Sequence, residues 1–411
     1  KKGRAVVSKG IPLREFEQRH DRIRSFVADQ GLGALLVYSP PQEHKWGQTG
    51  HVAYLSGWAN CDRIVDSAVV VPVTGDPVML LAGMPYMLKQ IEEVSPLRDL
   101  RLVRAVDPHA VAVSGGADRT GPRPFSEEVV AILRENCIRE TRVGVVGIEN
   151  MPVPFYEALA RELGDDLRRV TDVVAECRSI KTPSEIELMK RAAQLSDVGF
   201  QTMVEVAQEG MRGIEIVAEM ERVVRREGAD HAKYWMASGP PPNWADVRLD
   251  LKPHERVLRE GDLMASCSYV QYKGYWCHGQ RTGTMKSPSP ELDRLCAIGR
   301  EAQDAGLEKI RPETPVAHVG RAIRKTAAHQ GFEIQGGRVG HGMGMDYAER
   351  PGLAESSDEL LQAGMTFVVH AAYGLPGSGA MFVPLGDVCH VTPEGPELLM
   401  EFPRTPFIAG R

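Results

Sequence analysis

The segment GDLMASCSYVQYKGYWCHGQRTGTM, residues 261–285, sets a thiol, a phenol and an imidazole close together in Cys267, Tyr269 and His278. Its alternating pattern and the Lys273-Gly274 pair predict a β-hairpin with a two-residue turn. In that register His278 stands opposite Tyr269, and Cys267 lies two residues along on the same face. Imidazole and thiolate both bind metal ions, and neutral imidazole is also a base near neutral pH, so this face could hold an ion or move a proton. Two further histidines stand out, His341 in GHGMGMDYAERPGL and His370 at the end of AGMTFVVH, where it shares a strand face with Thr366 and Val368. His254 lies in LKPHERVLREGD, and the polar, aromatic stretch PPQEHKWGQTGHVAYLSGW carries His44, Trp46 and His51. A lone histidine is more often a satisfied structural group than a ligand, so these residues matter only if the fold brings several together.

The elements that must do so divide into two blocks. At 411 residues the chain exceeds what one core usually supports, and two domains are expected. From Pro12 to Gln30 the apolar residues Leu13, Phe16, Ile23, Phe26 and Val27 recur at helical spacing, and the strand GALLVYS follows. AYLSGW, SAVVVPVTGDPVMLLAG and RVGVVGIEN continue the alternation, so residues 1–176 read as an α/β domain. The segment CRSIKTPSEIELMKRAAQLSD opens the second, 177–411, with a long helix that Ser184 can cap and whose first turn holds Glu185 and Glu187. Helices are expected at 184–207, 213–227, 289–310 and 315–330, the hairpin between them, and strands at 365–373 and 387–392. The overall class is α/β (α+β).

Composition narrows the function. Hydrophobic content of 43% and charged content of 25% fit a soluble globular protein, and no apolar run approaches the roughly 20 residues of a membrane span. A net charge of -6 with no basic stripe argues against nucleic acid as a partner. Seven scattered cysteines without a CxxC pair suit a reducing cytoplasm, and the basic start KKGRAVVSKG is not followed by an apolar signal segment. The expected partner is a small molecule, with neither nucleic acid nor membrane.

The phrases RSIKTPSEIELMKRAA, GDL with KGYWCHGQRTG, GHGMGMDYAERPGL, AGMTFVVH and GDVCHVTPEG, in that order, resemble the creatinase, prolidase and methionine-aminopeptidase superfamily, whose pita-bread fold would cover about residues 177–405. An N-terminal α/β domain ahead of it is similar to creatinase and prolidase. In the metallopeptidases of that superfamily two Asp on a hairpin, one His after a Gly and two Glu on later strands hold two divalent ions. The matching positions here are Cys267, His278, His341, His370 and Gly386, and only His341 keeps the family residue. The second Asp, the His and the first Glu of the family serve one ion, and all three are histidine here. The other ion depends chiefly on the positions of Cys267 and Gly386. The resemblance therefore implies the loss of one ion and a three-histidine site for the other, with open coordination positions and with Cys267 as a fourth ligand or a redox-sensitive neighbour. The ion would be one divalent transition metal, Zn, Fe, Cu, Mn or Co, unless the site works without metal.

The resemblance also implies a homodimer in which His44, Trp46 and His51 contact substrate in the neighbouring subunit. The expected activity is hydrolysis of a C–N bond, amide or amidine-like, in a small nitrogenous molecule. His254 or Glu349 would carry the proton to the leaving nitrogen, and Tyr269 would line the substrate pocket. Glu349 follows Ala348, where the family keeps a second catalytic histidine. Arg281 is expected as a structural salt-bridge partner, and Asp387 as a weak candidate to compensate for Gly386. Three other readings stay open: metal-free acid/base catalysis as in creatinase and ectoine hydrolase, an Fe- or Cu-dependent oxidative or lyase reaction, and a non-catalytic binding module.

Overall fold

The structure, a computed structural model, describes residues 7–8, 10–40, 50–58, 65–83, 85–104, 122–136, 138, 142–170, 172–239, 255–374 and 382–410. His44, Trp46 and His254 lie outside the described residues. The chain divides into two compact units, Lys1–Arg178 and Ser179–Arg411.

In the first unit, α1 (Leu13–Asp29) turns Phe16, Ile23 and Val27 inward at helical spacing. It leads into β1 (Leu32–Ser39), buried along its whole length, which explains why LGALLVYS has no polar alternation. Helix α2 (His51–Ser56) follows, closed by Gly57 in the left-handed conformation. AYLSGW, grouped with the β-rich stretches in the sequence, is thus largely one buried helical turn. Strands β2 (Ser67–Pro72), β3 (Val78–Leu81), β4 (Asp99–Leu102), β5 (Arg142–Val146) and β6 (Leu167–Arg169) complete a six-stranded mixed sheet of order β4-β3-β2-β1-β5-β6. Helices α3 (Pro85–Val94), α4 (Phe125–Glu135), α5 (Val153–Leu163) and α6 (Asp172–Ser179) punctuate it. Leu36, Val70, Leu80, Val129, Ile132 and Phe155 form its core.

The second unit opens with α7 (Pro183–Val206). Its cap is Thr182, not Ser184. The Glu185 backbone N–H donates to the Thr182 hydroxyl and the Thr182 N–H donates to the Glu185 carboxylate. Pro183 decides this, because its fixed φ suits the first helical position, which makes Thr182, two residues before Ser184, the cap. After α8 (Gly213–Arg226) comes a four-stranded sheet made of β7 (His231–Gly239), β8 (Leu263–Tyr272), β9 (Tyr275–Met285) and a short strand, Phe407–Ala409. Strands β8 and β9 are the expected hairpin. Tyr272 pairs with Tyr275 across the turn, and Tyr269 faces His278. Lys273 and Gly274 both take positive φ, 49° and 91°, which the mirror-image hairpin turn demands at both central positions.

Helices α9 (Pro290–Leu307) and α10 (Ala317–His329) precede a five-stranded sheet. It consists of β10 (Arg338–Gly342), β11 (Glu349–Ala354), β12 (Thr366–Val369), β13 (Asp387–Thr392) and β14 (Gly395–Leu398), in the order β11-β10-β12-β13-β14. The two sheets meet where Gln280 of β9 and Gly386, just before β13, exchange two backbone hydrogen bonds of 3.1 Å. No helix among the described residues is long and apolar enough to cross a membrane.

Candidate active site

Three strands deliver the three imidazoles to that seam. His278 points from β9 in the face shared with Cys267 and Tyr269, which is where a period-two reading of the hairpin puts it. His341 sits in β10 between Gly340 and Gly342. Neither neighbour tolerates a side chain: a Cβ at Gly340 would run into the Val368 carbonyl, and one at Gly342 would stand 2.6 Å from the Arg350 carbonyl. The glycines let β10 approach its neighbours closely and bulge at His341. His370 follows the last residue of β12, its backbone N–H held 2.9 Å from the Val339 carbonyl.

The rings come together. His278 and His370 lie 5.0 Å apart between ring centres, and His341 and His370 lie 5.3 Å apart. An ion about 2.1 Å from a histidine nitrogen is about 3.2 Å from that ring's centre, so two rings sharing a tetrahedral ion stand roughly 5 Å apart. The Nδ1 of His278 is 2.8 Å from the Ser268 carbonyl, and that of His341 is 2.9 Å from the Gly342 carbonyl. A carbonyl only accepts, so both Nδ1 atoms carry the hydrogen and both Nε2 atoms present a lone pair. The Nε2 atoms of His341 and His370 are buried without a hydrogen-bond partner. Burial, more than any neighbouring charge, holds all three imidazoles in the neutral form: His278 is pushed down to about 3, His341 to about 4, and His370 well below its ordinary value.

Around the rings stands a wall of sulfur and aromatic groups. The Cys267 Sγ is 3.6 Å from the His278 Nε2, and its thiol is pushed up to about 12 by burial. Tyr269 stacks at 4.7 Å on both His278 and Tyr347, and Tyr347 lies 5.2 Å from His278 and from His341. The Tyr347 hydroxyl stands 3.2 Å from that of Tyr269, and burial raises both phenols. Trp235 of β7 closes against Tyr269 at 4.6 Å, its indole N–H buried without an acceptor.

Several expected participants have other partners. Glu349 does not stand as a free carboxylate: it is in a buried ion pair with Lys181 at 2.8 Å and accepts from the Asp346 N–H at 3.1 Å. Arg281 is the expected structural partner, bonding to Asp387 at 2.7 Å and to the Gly386 carbonyl at 2.8 Å. Asp387 therefore faces Arg281 and does not compensate for Gly386. In the first unit His51 is 1% exposed, with Arg178 2.9 Å from its Nδ1, so it is part of a core and not of a substrate-facing loop. Sequence reasoning missed Lys181, Trp235 and Tyr347. A tyrosine beside the vacated histidine position, Ala348, was the available signal for Tyr347; nothing in the sequence marked the other two.

A model of metallopeptidase family M24 matches residues 187–393, and one of the creatinase/prolidase N-terminal domain matches residues 19–180. The chain belongs to metallopeptidase family M24. It is 28% identical over 263 residues to the peptidase YqhT of Bacillus subtilis, which covers 62% of this chain and 72% of that protein. It is 25% identical over 268 residues to the Xaa-Pro dipeptidase of Pyrococcus horikoshii, covering 63% of this chain and 74% of the relative. Its fold matches a solved Xaa-Pro dipeptidase of Bacillus anthracis with a TM-score of 0.75 at 24% identity, over 96% of this chain and 99% of the other.

The two-ion centre expected of an M24 protein does not fit these residues. The five matching positions gather at the seam but supply no carboxylate. At Gly386 a Cβ would stand 3.2 Å from the Cβ atoms of Gln280 and His370, so any side chain there would have to push them aside by a few tenths of an ångström. A single ion fits the donor chemistry better, since neutral imidazoles with orphaned, buried Nε2 atoms are groups that lack the partner they are built for. As the side chains stand, no group of three or more His, Cys, Asp or Glu among the described residues could hold a metal ion. Holding a single ion would therefore require the rings to turn from where they stand.

Proposed function

We propose that this M24 protein is a hydrolase of C–N bonds in small amides, working with one transition-metal ion held by His278, His341 and His370. The observation that carries this reading is the pair of buried Nε2 atoms without partners, on His341 and His370, beside the ring of His278. Family membership and the Xaa-Pro dipeptidases among the relatives support amide hydrolysis over unrelated chemistry. An ion bound there would supply the Lewis acidity that lets water attack an amide near neutral pH.

The chain's own groups do the rest. Tyr269 and Tyr347 are neutral phenols, so they can donate hydrogen bonds to the oxygen of a bound carbonyl as charge builds on it. Trp235 offers an unspent N–H and a flat face that excludes water. Lys181 and Glu349 neutralise each other and fix the Gly342–Glu349 pairing that carries His341, so Glu349 serves as a positioning residue. Arg281 and Asp387 fix the Gly386 seam in the same way.

Metal-free acid/base catalysis is less well supported. An imidazole held at about 3 or 4 is almost wholly unprotonated at pH 7 and is a weak base there, whereas an efficient general acid or base titrates near the working pH. Elemental analysis with turnover of a dipeptide and small-amide panel tests the proposal. We expect about one transition-metal ion per chain, lost in His278→Ala and His370→Ala together with activity. Undiminished turnover by metal-free protein would sink it. Absence of both metal and turnover would point to a binding protein instead.

A further inference from the structure

We infer that the first unit carries a ligand site of its own, a cleft that takes a small organic cation: an ammonium or guanidinium group on a short alkyl stem. The inference is independent of the histidine centre, because every residue of the cleft belongs to Lys1–Arg178.

The cleft has a volume of about 560 Å3 and lies between α1, the turn ahead of β3 and the segment that leads from α3 into β4. That is room for a whole small molecule. On α1, Leu13, Glu17, His20 and Arg24 recur at helical spacing, so one stripe of the helix forms a wall. Phe16 and Leu97, 1% and 3% exposed, give an apolar floor against which an alkyl stem would leave water.

The rim is acidic. Glu17, Asp76, Glu92 and Glu93 are exposed, and among the described residues none of the four has an ion-pair partner. Arg24 is already engaged, donating to Asp21 at 3.2 Å and to the Gly75 carbonyl at 2.8 Å, which leaves Arg98 outnumbered. Helix α3 ends at Val94 with Glu92 and Glu93 in its last turn and no basic residue there, so the negative end of its dipole adds to the same field.

Carboxylates alone could be a solvated face; His20 supplies the separate observation that points to a ligand. It is 7% exposed, and its Nε2 stands 2.8 Å from the Leu55 carbonyl. Nε2 therefore carries the hydrogen and Nδ1 keeps a lone pair. Among the described residues no group bonds to Nδ1, and it is not one of the fully buried atoms, so it opens on the cleft that the ring lines. Burial, against the opposing Leu55 hydrogen bond, holds His20 below its ordinary value, so the ring stays a neutral acceptor. An acceptor set among carboxylates asks for a ligand that brings both an N–H to donate and a positive charge. An anion brings neither.

Calorimetric titration of the full chain tests this, with 1,4-diaminobutane and butylguanidine as probes. One cation per chain is expected, with a Kd of about 1 mM or tighter. Binding should weaken severalfold between about 20 mM and about 200 mM salt, because exposed charges are screened. Butanol and butyrate, which share the stem but lack the positive charge, should not bind. His20→Phe keeps a ring and removes the acceptor, and should weaken cation binding about tenfold. Asp76→Asn, on the rim, should weaken it about threefold. Cations that do not bind, that bind no better than butanol, or that bind both variants as well as the parent chain would overturn the inference. Should His20→Phe not fold, Asp76→Asn combined with Glu93→Gln, both at exposed positions, decides it: undiminished binding there places the cation elsewhere and overturns the site.

Discussion

His278, His341 and His370 are buried neutral, and that has a cost that pH exposes. Their folded-state values lie below the ordinary histidine value of 6.5, so under acid the unfolded chain takes up protons that the native chain refuses. Stability should therefore be full above about pH 6.5 and fall as pH drops toward 4, by about 1.4 kcal/mol per pH unit for each group. Asp197 acts in the opposite sense: burial pushes its carboxyl up to about 6, so its contribution is lost as pH rises through that value. Denaturant melts of metal-free protein between pH 7 and pH 4 should show the net acid loss, and His278→Gln should reduce its slope by about one histidine's share. An unchanged slope would mean that His278 is protonated or exposed in the native state. At this scale the sequence was informative where chemistry and local register suffice: Cys267, Tyr269 and His278 share a face because the strand period is two. It was silent where a partner is distant. Glu349 reads as a free acid in sequence because Lys181, which neutralises it, lies 168 residues earlier.

Among the elements, the seam between the hairpin and β13 carries the most strain on substitution. Asp387→Ala leaves Arg281 as a buried charge without its carboxylate and should cost about 3 to 5 kcal/mol, read as a fall in melting temperature. Gly386→Ala pushes a methyl to 3.2 Å from Gln280 and His370, and should cost about 1 to 3 kcal/mol. Gly386→Glu should not by itself bring back a second metal ion, because Cys267 still stands where the family keeps its first Asp; two ions per chain in that variant would overturn this view. Thr182→Ala, by contrast, removes one cap of α7 and should cost only about 1 kcal/mol. Helix periodicity and the hairpin turn were legible because both are local. The shift of the cap to Thr182 was readable in principle from Pro183, whereas the Gln280–Gly386 bridge joins segments 106 residues apart and leaves no local trace.

In the molecule as a whole, each of the two units has its own sheet and its own core. The residues of the proposed centre all belong to Ser179–Arg411. That unit expressed alone is expected to fold, to melt cooperatively and to bind as many transition-metal ions per chain as the full protein; a folded fragment that binds none where the full chain binds one would show that the centre needs residues from Lys1–Arg178. The two-domain division was legible from chain length and from the change of pattern near Cys177.

The replacement of carboxylates by imidazoles also changes the charge that a substrate meets. Four carboxylates cancel two divalent ions, leaving such a centre close to neutral. In the proposed single-ion reading, three neutral imidazoles would cancel none of the charge of a dication, so the loaded centre would keep its positive charge among buried aromatic groups. It should attract a carboxylate, a phosphate or any small anion more strongly than a neutral amide, and be inhibited by products that carry a negative charge.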